Sequence, residues 1–183
     1  MGAVIVVLAT ILILQNSGIL KNTGNMGINY NAPSTSSNAN TSTTDTNNGT
    51  NGGKTVPQNK VLDLSNQGLK SIPSYVFNRT DLEELNVSRN SLTGAIQAEI
   101  RHLSRLKILD ASDNSMTGVP AEIGQLQNLE VLDLSNNQLT GLPNELGNLK
   151  NLKVFNISGN QYSQQDLDHI INDLPKGVNV ITK

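Results

Sequence analysis

The stretch "LEVLDLSNNQL", residues 129–139, decides the fold because apolar and polar residues alternate along it. Leu132 and Leu134 are separated by Asp133, so in an extended chain both leucines point to one side. Val131, Asp133 and Ser135 then point to the other side. A short strand with one apolar face is therefore predicted, and that face must be covered by something outside the stretch.

The same pattern occurs five times at intervals of 23 or 24 residues. The copies read "NKVLDLSNQGL" from Asn59, "LEELNVSRNSL" from Leu82, "LKILDASDNSM" from Leu106, "LEVLDLSNNQL" from Leu129 and "LKVFNISGNQY" from Leu152. No copy can bury its apolar face alone, so neighbouring copies are predicted to stack into a solenoid with a parallel sheet on its inner side.

The pattern L-x-x-L-x-L-x-x-N-x-L, in register five times, resembles the leucine-rich repeat family over residues 59–162. The resemblance implies an α/β-type repeat solenoid, a right-handed coil with a parallel inner sheet and a short helical or irregular outer side. It also implies that the inner face of the sheet is the surface that binds ligands.

An asparagine follows four of the strands at one fixed position, and its amide is predicted to bond the backbone of adjacent turns. These residues are Asn90, Asn114, Asn137 and Asn160, with Gln67 in their place in the first copy. An unbonded polar group would be costly at a buried turn. The half-repeats that follow carry Pro73, Pro120 and Pro143, whereas the second has Gln97 instead.

Residues 163–183 are predicted to close the C-terminal end of the stack. Ser163 with Asp166 suggests a helix cap. Leu167, Ile170, Ile171 and Leu174 then have the spacing of a helix with one apolar face. Residues 178–181 can add a last strand. No comparable cap is apparent before residue 59.

The first 58 residues differ from the repeats in composition. Residues 1–20 begin "MGAVIVVLATILIL", and residues 2–14 would form an apolar helix of roughly 20 Å. We interpret residues 1–20 as a membrane anchor or signal segment, with an uncleaved anchor favoured because no basic residue precedes the apolar run. Residues 21–58 are rich in Asn, Thr, Ser and Gly and are predicted to be a disordered linker.

Composition excludes several classes of function. The net charge of −2 offers no general basic surface, so no nucleic-acid partner is predicted. Cysteine is absent, which excludes thiolate metal sites and thiol nucleophiles. Gly53-Lys54-Thr55 resembles the end of a phosphate-binding loop, but Asn48 stands where that motif requires glycine. No cofactor is therefore predicted.

Two columns of outward residues define the candidate ligand-binding face. The first column is apolar except for one glutamate, the second consists of Asp and Asn, and one further aspartate lies near the second column. The complete set is Val61, Asp63, Glu84, Asn86, Ile108, Asp110, Asp113, Val131, Asp133, Val154 and Asn156. Beside them, Lys60, Glu83, Lys107, Glu130 and Lys153 alternate in charge, so opposite charges are predicted to meet at every step between strands.

Three interpretations of the aspartate column remain open. Asp110 and Asp133 would be direct neighbours, and close carboxylates can form an acid/base pair or a hard-cation site. Asp at this position is, however, common in the family that the repeats resemble, so a structural role explains the pair. The third interpretation is an acidic patch that meets a basic protein or peptide.

No enzyme is predicted, because the serine after the aspartate column recurs in all five copies and no histidine shares that face. The sequence instead predicts a monomeric protein–protein interaction module, bound to a membrane through its N-terminal segment, with the repeats extracytoplasmic. It would be secreted if that segment were cleaved. The alternative is a structural envelope or adhesion spacer with no discrete ligand.

Overall fold

The computed structural model describes residues 59–183, and the account below concerns that part of the chain. The predicted apolar segment, residues 1–20, and the predicted linker, residues 21–58, lie outside it. Within residues 59–183, no helix is both long enough and apolar enough to cross a membrane.

The inner side of the repeats is a parallel sheet, as predicted. The described part of the chain contains eight strands: Val61–Asp63 (β1), Glu84–Asn86 (β2), Thr93–Gly94 (β3), Ile108–Asp110 (β4), Ser115–Met116 (β5), Val131–Asp133 (β6), Val154–Asn156 (β7) and Asn179–Ile181 (β8). Six of them form one parallel sheet in the order β1-β2-β4-β6-β7-β8. β3 and β5 form a separate parallel pair next to the turns. The first five strands of this sheet therefore belong to one repeat each, and β8 belongs to the C-terminal segment.

The outer side consists of short 3-10 helices, which bear out the predicted helical or irregular half-repeats. They are Ser74–Asn78 (η1), Ala98–His102 (η2), Ala121–Gln125 (η3) and Asn144–Asn148 (η4). Three of them follow a proline, whose fixed φ suits the residue before a helix. η2 follows Gln97, whose Nε2 donates to the Ile72 carbonyl oxygen of the preceding repeat at 2.7 Å. The substituted glutamine thus bonds two repeats together.

The predicted asparagine bonds are present at every repeat boundary. Asn137 shows the arrangement: its Nδ2 donates to the carbonyl oxygens of Ala111, Leu134 and Ser135, and its Oδ1 accepts from the Met116 N–H. Asn90, Asn114 and Asn160 make the corresponding bonds. Since one amide binds backbone groups of two repeats, this asparagine ladder fixes how neighbouring repeats stack.

One position just before the ladder asparagine has positive φ in all five repeats. It is occupied by Asn66, Arg89, Asp113, Asn136 and Gly159, with φ between 53° and 70°. Asparagine, aspartate and glycine adopt this left-handed conformation more readily than other residues, and arginine is not favoured in it. A Cβ on Gly159 would also lie 2.4 Å from Asn136 Oδ1 of the preceding repeat. The turn therefore favours Asn, Asp or Gly at this position, and Arg89 is the exception.

The C-terminal cap forms largely as predicted. Helix Gln164–Asp173 (α1) begins after Ser163, whose Oγ accepts from the Asp166 N–H, and β8 adds the last strand. Leu167, Ile170 and Leu174 are buried against the repeats. Ile171 is 41% exposed, so the prediction that it belongs to the apolar face is wrong. The buried face of α1 is narrower than the spacing of its apolar residues suggested, and Ile171 lies beside that face.

The charge alternation beside the sheet is confirmed at three of four steps. Glu83 accepts from both Lys60 and Lys107, and Glu130 accepts from Lys153. Among the described residues no ion pair joins Lys107 to Glu130, so the prediction of contact at every step is wrong there. The Lys107 ammonium lies 2.7 Å from Glu83 instead. These exposed pairs each contribute roughly 0.2–1 kcal/mol to stability.

Candidate binding face

The strand register places the two predicted columns side by side on the inner face of the sheet. Val61, Glu84, Ile108, Val131 and Val154 are successive partners, and so are Asp63, Asn86, Asp110, Asp133 and Asn156. The side chains between the two columns pack into the core on the opposite side: Leu85, Leu109, Leu132 and Phe155 are fully buried, and Leu62 is partly buried. Ten of the eleven candidate residues therefore share one surface.

The eleventh candidate, Asp113, lies at the edge of this surface rather than in either column. It occupies the left-handed turn position, where Asn136 Nδ2 donates to its Oδ1 at 2.8 Å. Its other carboxylate oxygen lies 3.7 Å from Arg89 Nε. Arg89 is thus a cation beside the acidic column that the sequence analysis did not include. Arg89 occupies the same position of its repeat as Asp113, and this alignment in the sequence could have placed it beside the column.

Exposure decreases along the columns. Asp63 is exposed, and Glu84, Asn86 and Asp110 are half-buried. Val131 and Asp133 are only 2% and 8% exposed, and the last pair, Val154 and Asn156, is also buried. The accessible part of the candidate face therefore lies on the strands of the first three repeats.

A local hydrogen-bond pattern holds each aspartate or asparagine of the second column. In Asp110, Asp133 and Asn156, Oδ1 accepts from both the N–H and the hydroxyl of the serine two residues later. These serine hydroxyls are donors to a neighbouring side chain and have no histidine base beside them. The arrangement serves to end the strand and does not build a nucleophile.

Asp110 and Asp133 differ in what their second carboxylate oxygen meets. Asp133 Oδ2 accepts from Asn156 Nδ2 at 2.9 Å. The corresponding neighbour of Asp110 on the next strand is Asp133 itself, a second carboxylate. Burial raises the pKa of Asp110, and the nearby charges of Asp133 and Asp113 add to that rise although bonds from Ser112 oppose it. Burial also raises the pKa of Glu84, reinforced by Asp63 and Asp110.

Replacing Asp110 with Asn is expected to stabilise the fold at neutral pH. The amide oxygen can still accept from Ser112, and the repulsion from Asp133 disappears. Because the folded-state pKa of Asp110 is raised, its ionised form costs stability above that pKa, and the cost is lost as pH falls through it. The advantage of the variant should therefore vanish below the unfolded-chain pKa of about 3.9. Thermal unfolding across this pH range measures it.

The control is Asp63→Asn, which makes the same chemical change at the exposed first position of the column. Its unfolding midpoint should rise less than that of Asp110→Asn at neutral pH. A gain for Asp110→Asn that persists unchanged in acid would show that charge is not the cause.

The remaining polar residues do not assemble a second chemical site. His102 lies on η2 and His169 on α1, both away from the inner face. Across residues 59–183, no group of three or more His, Asp or Glu side chains is placed to hold a metal ion. Nor does any buried side-chain nitrogen or oxygen there lack a hydrogen-bond partner.

Comparison with known families agrees with this geometry. The family described as "Leucine Rich repeats (2 copies)" matches residues 104–144 and 127–172, and that described as "Leucine rich repeat" matches residues 57–116. Together they cover residues 57–172, which is more than half of the chain. The chain belongs to the leucine-rich repeat family.

Solved leucine-rich repeat structures resemble this one at moderate sequence identity. A leucine-rich repeat protein of Leptospira interrogans is 32% identical, with a TM-score of 0.53 over 62% of this chain and 35% of its own. The ectodomain of the Arabidopsis thaliana receptor kinase SOBIR1 is 28% identical, with a TM-score of 0.54 over 66% of this chain and 67% of its own.

A third similar structure is a receptor-kinase ectodomain, GASSHO1/SCHENGEN3 of Arabidopsis thaliana, in complex with CASPARIAN STRIP INTEGRITY FACTOR 2. It is 31% identical, with a TM-score of 0.52 over 61% of this chain and 14% of its own. The leucine-rich repeat chain thus spans 35% and 14% of the length of two of these structures. No curated protein gives a significant match.

Proposed function

We propose that this leucine-rich repeat protein is a non-enzymatic module that binds a basic protein or peptide segment on its inner face. Supporting the proposal, similar structures include a receptor-kinase ectodomain in complex with CASPARIAN STRIP INTEGRITY FACTOR 2. Rigid parallel strands hold outward side chains in fixed positions, which reduces the entropy lost on binding.

The observation that carries the choice of partner is the charge of the accessible columns. Asp63, Glu84 and Asp110 lie on three successive strands, and neither column contains Lys or Arg. Burial raises the pKa of Glu84, and the nearby charges of Asp63 and Asp110 add to that rise. A cationic side chain of a partner would relieve this repulsion. Such complementarity contributes to specificity and to the association rate.

We further propose the chain organisation in which this face is displayed. Residues 1–20 would insert into a membrane, residues 21–58 would form the linker, residues 59–162 would be the binding repeats and residues 163–183 their cap. As a random coil, the linker would span on the order of 35 Å. That length would hold the repeats clear of an extracytoplasmic membrane surface.

The test is a cross-linking capture from the cells that produce the protein, using the full chain and the variant Asp63→Lys, Glu84→Lys. The matched control, Glu122→Lys with Glu145→Lys, makes the same change of charge on outer helices η3 and η4. We expect a partner that is enriched by the wild type and the control and is reduced roughly tenfold by the inner-face variant.

Circular dichroism of all three proteins checks that each is folded. Equal capture by the inner-face variant would contradict the proposal. A uniform background from all three proteins would favour a spacer without a discrete ligand.

A further inference from the structure

The outer surface of the second repeat carries two arginines and a histidine at positions where the third and fourth repeats have neither. Arg101 and His102 end η2, and Arg105 follows in the loop before the next strand; all three side chains are exposed. In the third and fourth repeats the aligned positions hold Gly124, Gln125 and Asn128, and Gly147, Asn148 and Asn151. All four arginines of the chain fall between residues 79 and 105.

Packing does not explain the two arginines. Where Arg105 stands, later repeats have an asparagine that bonds the preceding repeat: Asn128 Nδ2 donates to the Ser104 carbonyl oxygen at 2.8 Å. Asn151 Nδ2 donates likewise to the Gln127 carbonyl oxygen at 2.7 Å. Arg105 makes no such bond with any described residue. At this position the second repeat therefore lacks a hydrogen bond that joins later repeats, and it has an exposed guanidinium in its place.

Arg101 is also not required by its local environment. At the same position of the third repeat, Gly124 lies so close to the Glu145 backbone that a side chain would clash. Arg101 is instead exposed, and its guanidinium makes one hydrogen bond, to the Ala98 carbonyl oxygen. Most of the donors of both guanidinium groups thus remain available. Guanidinium groups bind carboxylates through two parallel hydrogen bonds, which an ammonium cannot do.

We propose that Arg101, His102 and Arg105 form a second interaction surface, on the outer side of the repeats, for a short acidic segment of a protein partner. The cluster is bounded by the carboxylates of Glu99, on η2 itself, and Asp81, whose pKa is lowered chiefly by its bond from Arg79 and also by the charge of Arg105. A cluster of this extent matches a few carboxylates, and the net charge of −2 disfavours a long polyanion.

This inference is independent of the inner-face proposal, because the two surfaces lie on opposite sides of the repeats and carry opposite charge. An acidic segment here and a basic segment on the inner face can belong to one partner or to two. A variant of one surface should leave binding at the other unchanged, so the two proposals fail separately.

The experiment is an anisotropy titration of the full chain, in a neutral detergent at low ionic strength, with a fluorescent peptide rich in Glu and Asp. A peptide with Gln and Asn in their place is the probe control. We expect binding of the acidic peptide only, weakened by added salt. Arg101→Gln with Arg105→Gln should weaken binding roughly tenfold. The matched control, Lys70→Gln with Lys176→Gln, removes two other exposed cations and should change it less than about twofold.

Three results would overturn the proposal. One is no binding of the acidic peptide by the wild-type chain at low ionic strength. Another is equal weakening by both double variants, which would indicate net charge rather than a surface. The last is arginine-dependent binding of vesicles containing phosphatidylserine without binding of the peptide, which would assign the cluster to a membrane surface.

Discussion

Replacing Asn137 with Ala is expected to lower the free energy of unfolding by about 3–5 kcal/mol. The change removes the amide that bonds Ala111, Leu134, Ser135 and Met116 at the boundary of two repeats. Asn137 is buried, so water cannot replace all of these bonds and backbone groups are left without partners. Chemical denaturation followed by circular dichroism measures the loss.

Gln67→Ala provides the matched control for this variant. Gln67 occupies the same position of the first repeat, where it is exposed and its side chain makes no hydrogen bond with the described residues. Its loss should change the free energy of unfolding by less than about 0.5 kcal/mol. Similar losses for the two variants would mean that the asparagine ladder does not hold the repeats together.

Gly124→Ala is expected to destabilise the fold by about 2–3 kcal/mol through a steric clash between the outer helices. A Cβ on Gly124 would lie 2.1 Å from the Glu145 carbonyl oxygen and 2.7 Å from its carbonyl carbon. Both are backbone atoms, so relief requires η3 and η4 to move apart. The helix propensity of alanine offsets only a part of this cost, at most about 1 kcal/mol.

Gly118→Ala is the corresponding control, because a Cβ there would meet only the Ala95 Cβ, at 3.9 Å. That substitution should be neutral or slightly stabilising, since alanine restricts the unfolded chain. Unfolding of both variants in urea gives the comparison. Equal stability of the two would show that the outer helices separate without cost.

The repeat pattern was sufficient to predict one strand in each repeat, their parallel order and the asparagine ladder, but not the short strands β3 and β5. Each depends on spacing alone: alternation defines the strand face, and a polar amide among leucines must bond the backbone. The left-handed turn position was missed, although Asn66, Asp113, Asn136 and Gly159 show the expected residue types, because Arg89 interrupts the series. Because the residue type differs between repeats, the sequence of a single repeat does not show that this position has a positive φ.

Contacts that depend on side-chain direction were less predictable. The apolar spacing of α1 included Ile171, but the helix buries a narrower face than the spacing allows. The alternating charges correctly predicted ion pairs, yet Glu83 takes both of its lysine neighbours and leaves Lys107 turned from Glu130. One carboxylate can bind two ammonium groups, one through each oxygen. Considering only one pair of neighbouring charges at a time does not reveal this.

The candidate face was predictable as a set of positions but not as an accessible surface. Register follows from the repeat, so Asp110 and Asp133 had to be neighbours. Their different surroundings did not follow, because burial and the bond from Asn156 to Asp133 arise from three-dimensional packing of successive repeats. The acidic positions that a ligand can reach are therefore those of β1, β2 and β4, the strands of the first three repeats.

The most direct test of the inner face as the binding surface is photo-cross-linking from single positions. A benzoylphenylalanine at Glu84, whose side chain makes no hydrogen bond with the described residues, would report on the inner face, and one at the exposed Asn148 on η4 would report on the outer side two repeats away from His102. We predict a discrete cross-linked partner in producing cells from position 84 and not from position 148. The same partner from position 148, with none from position 84, would contradict the account.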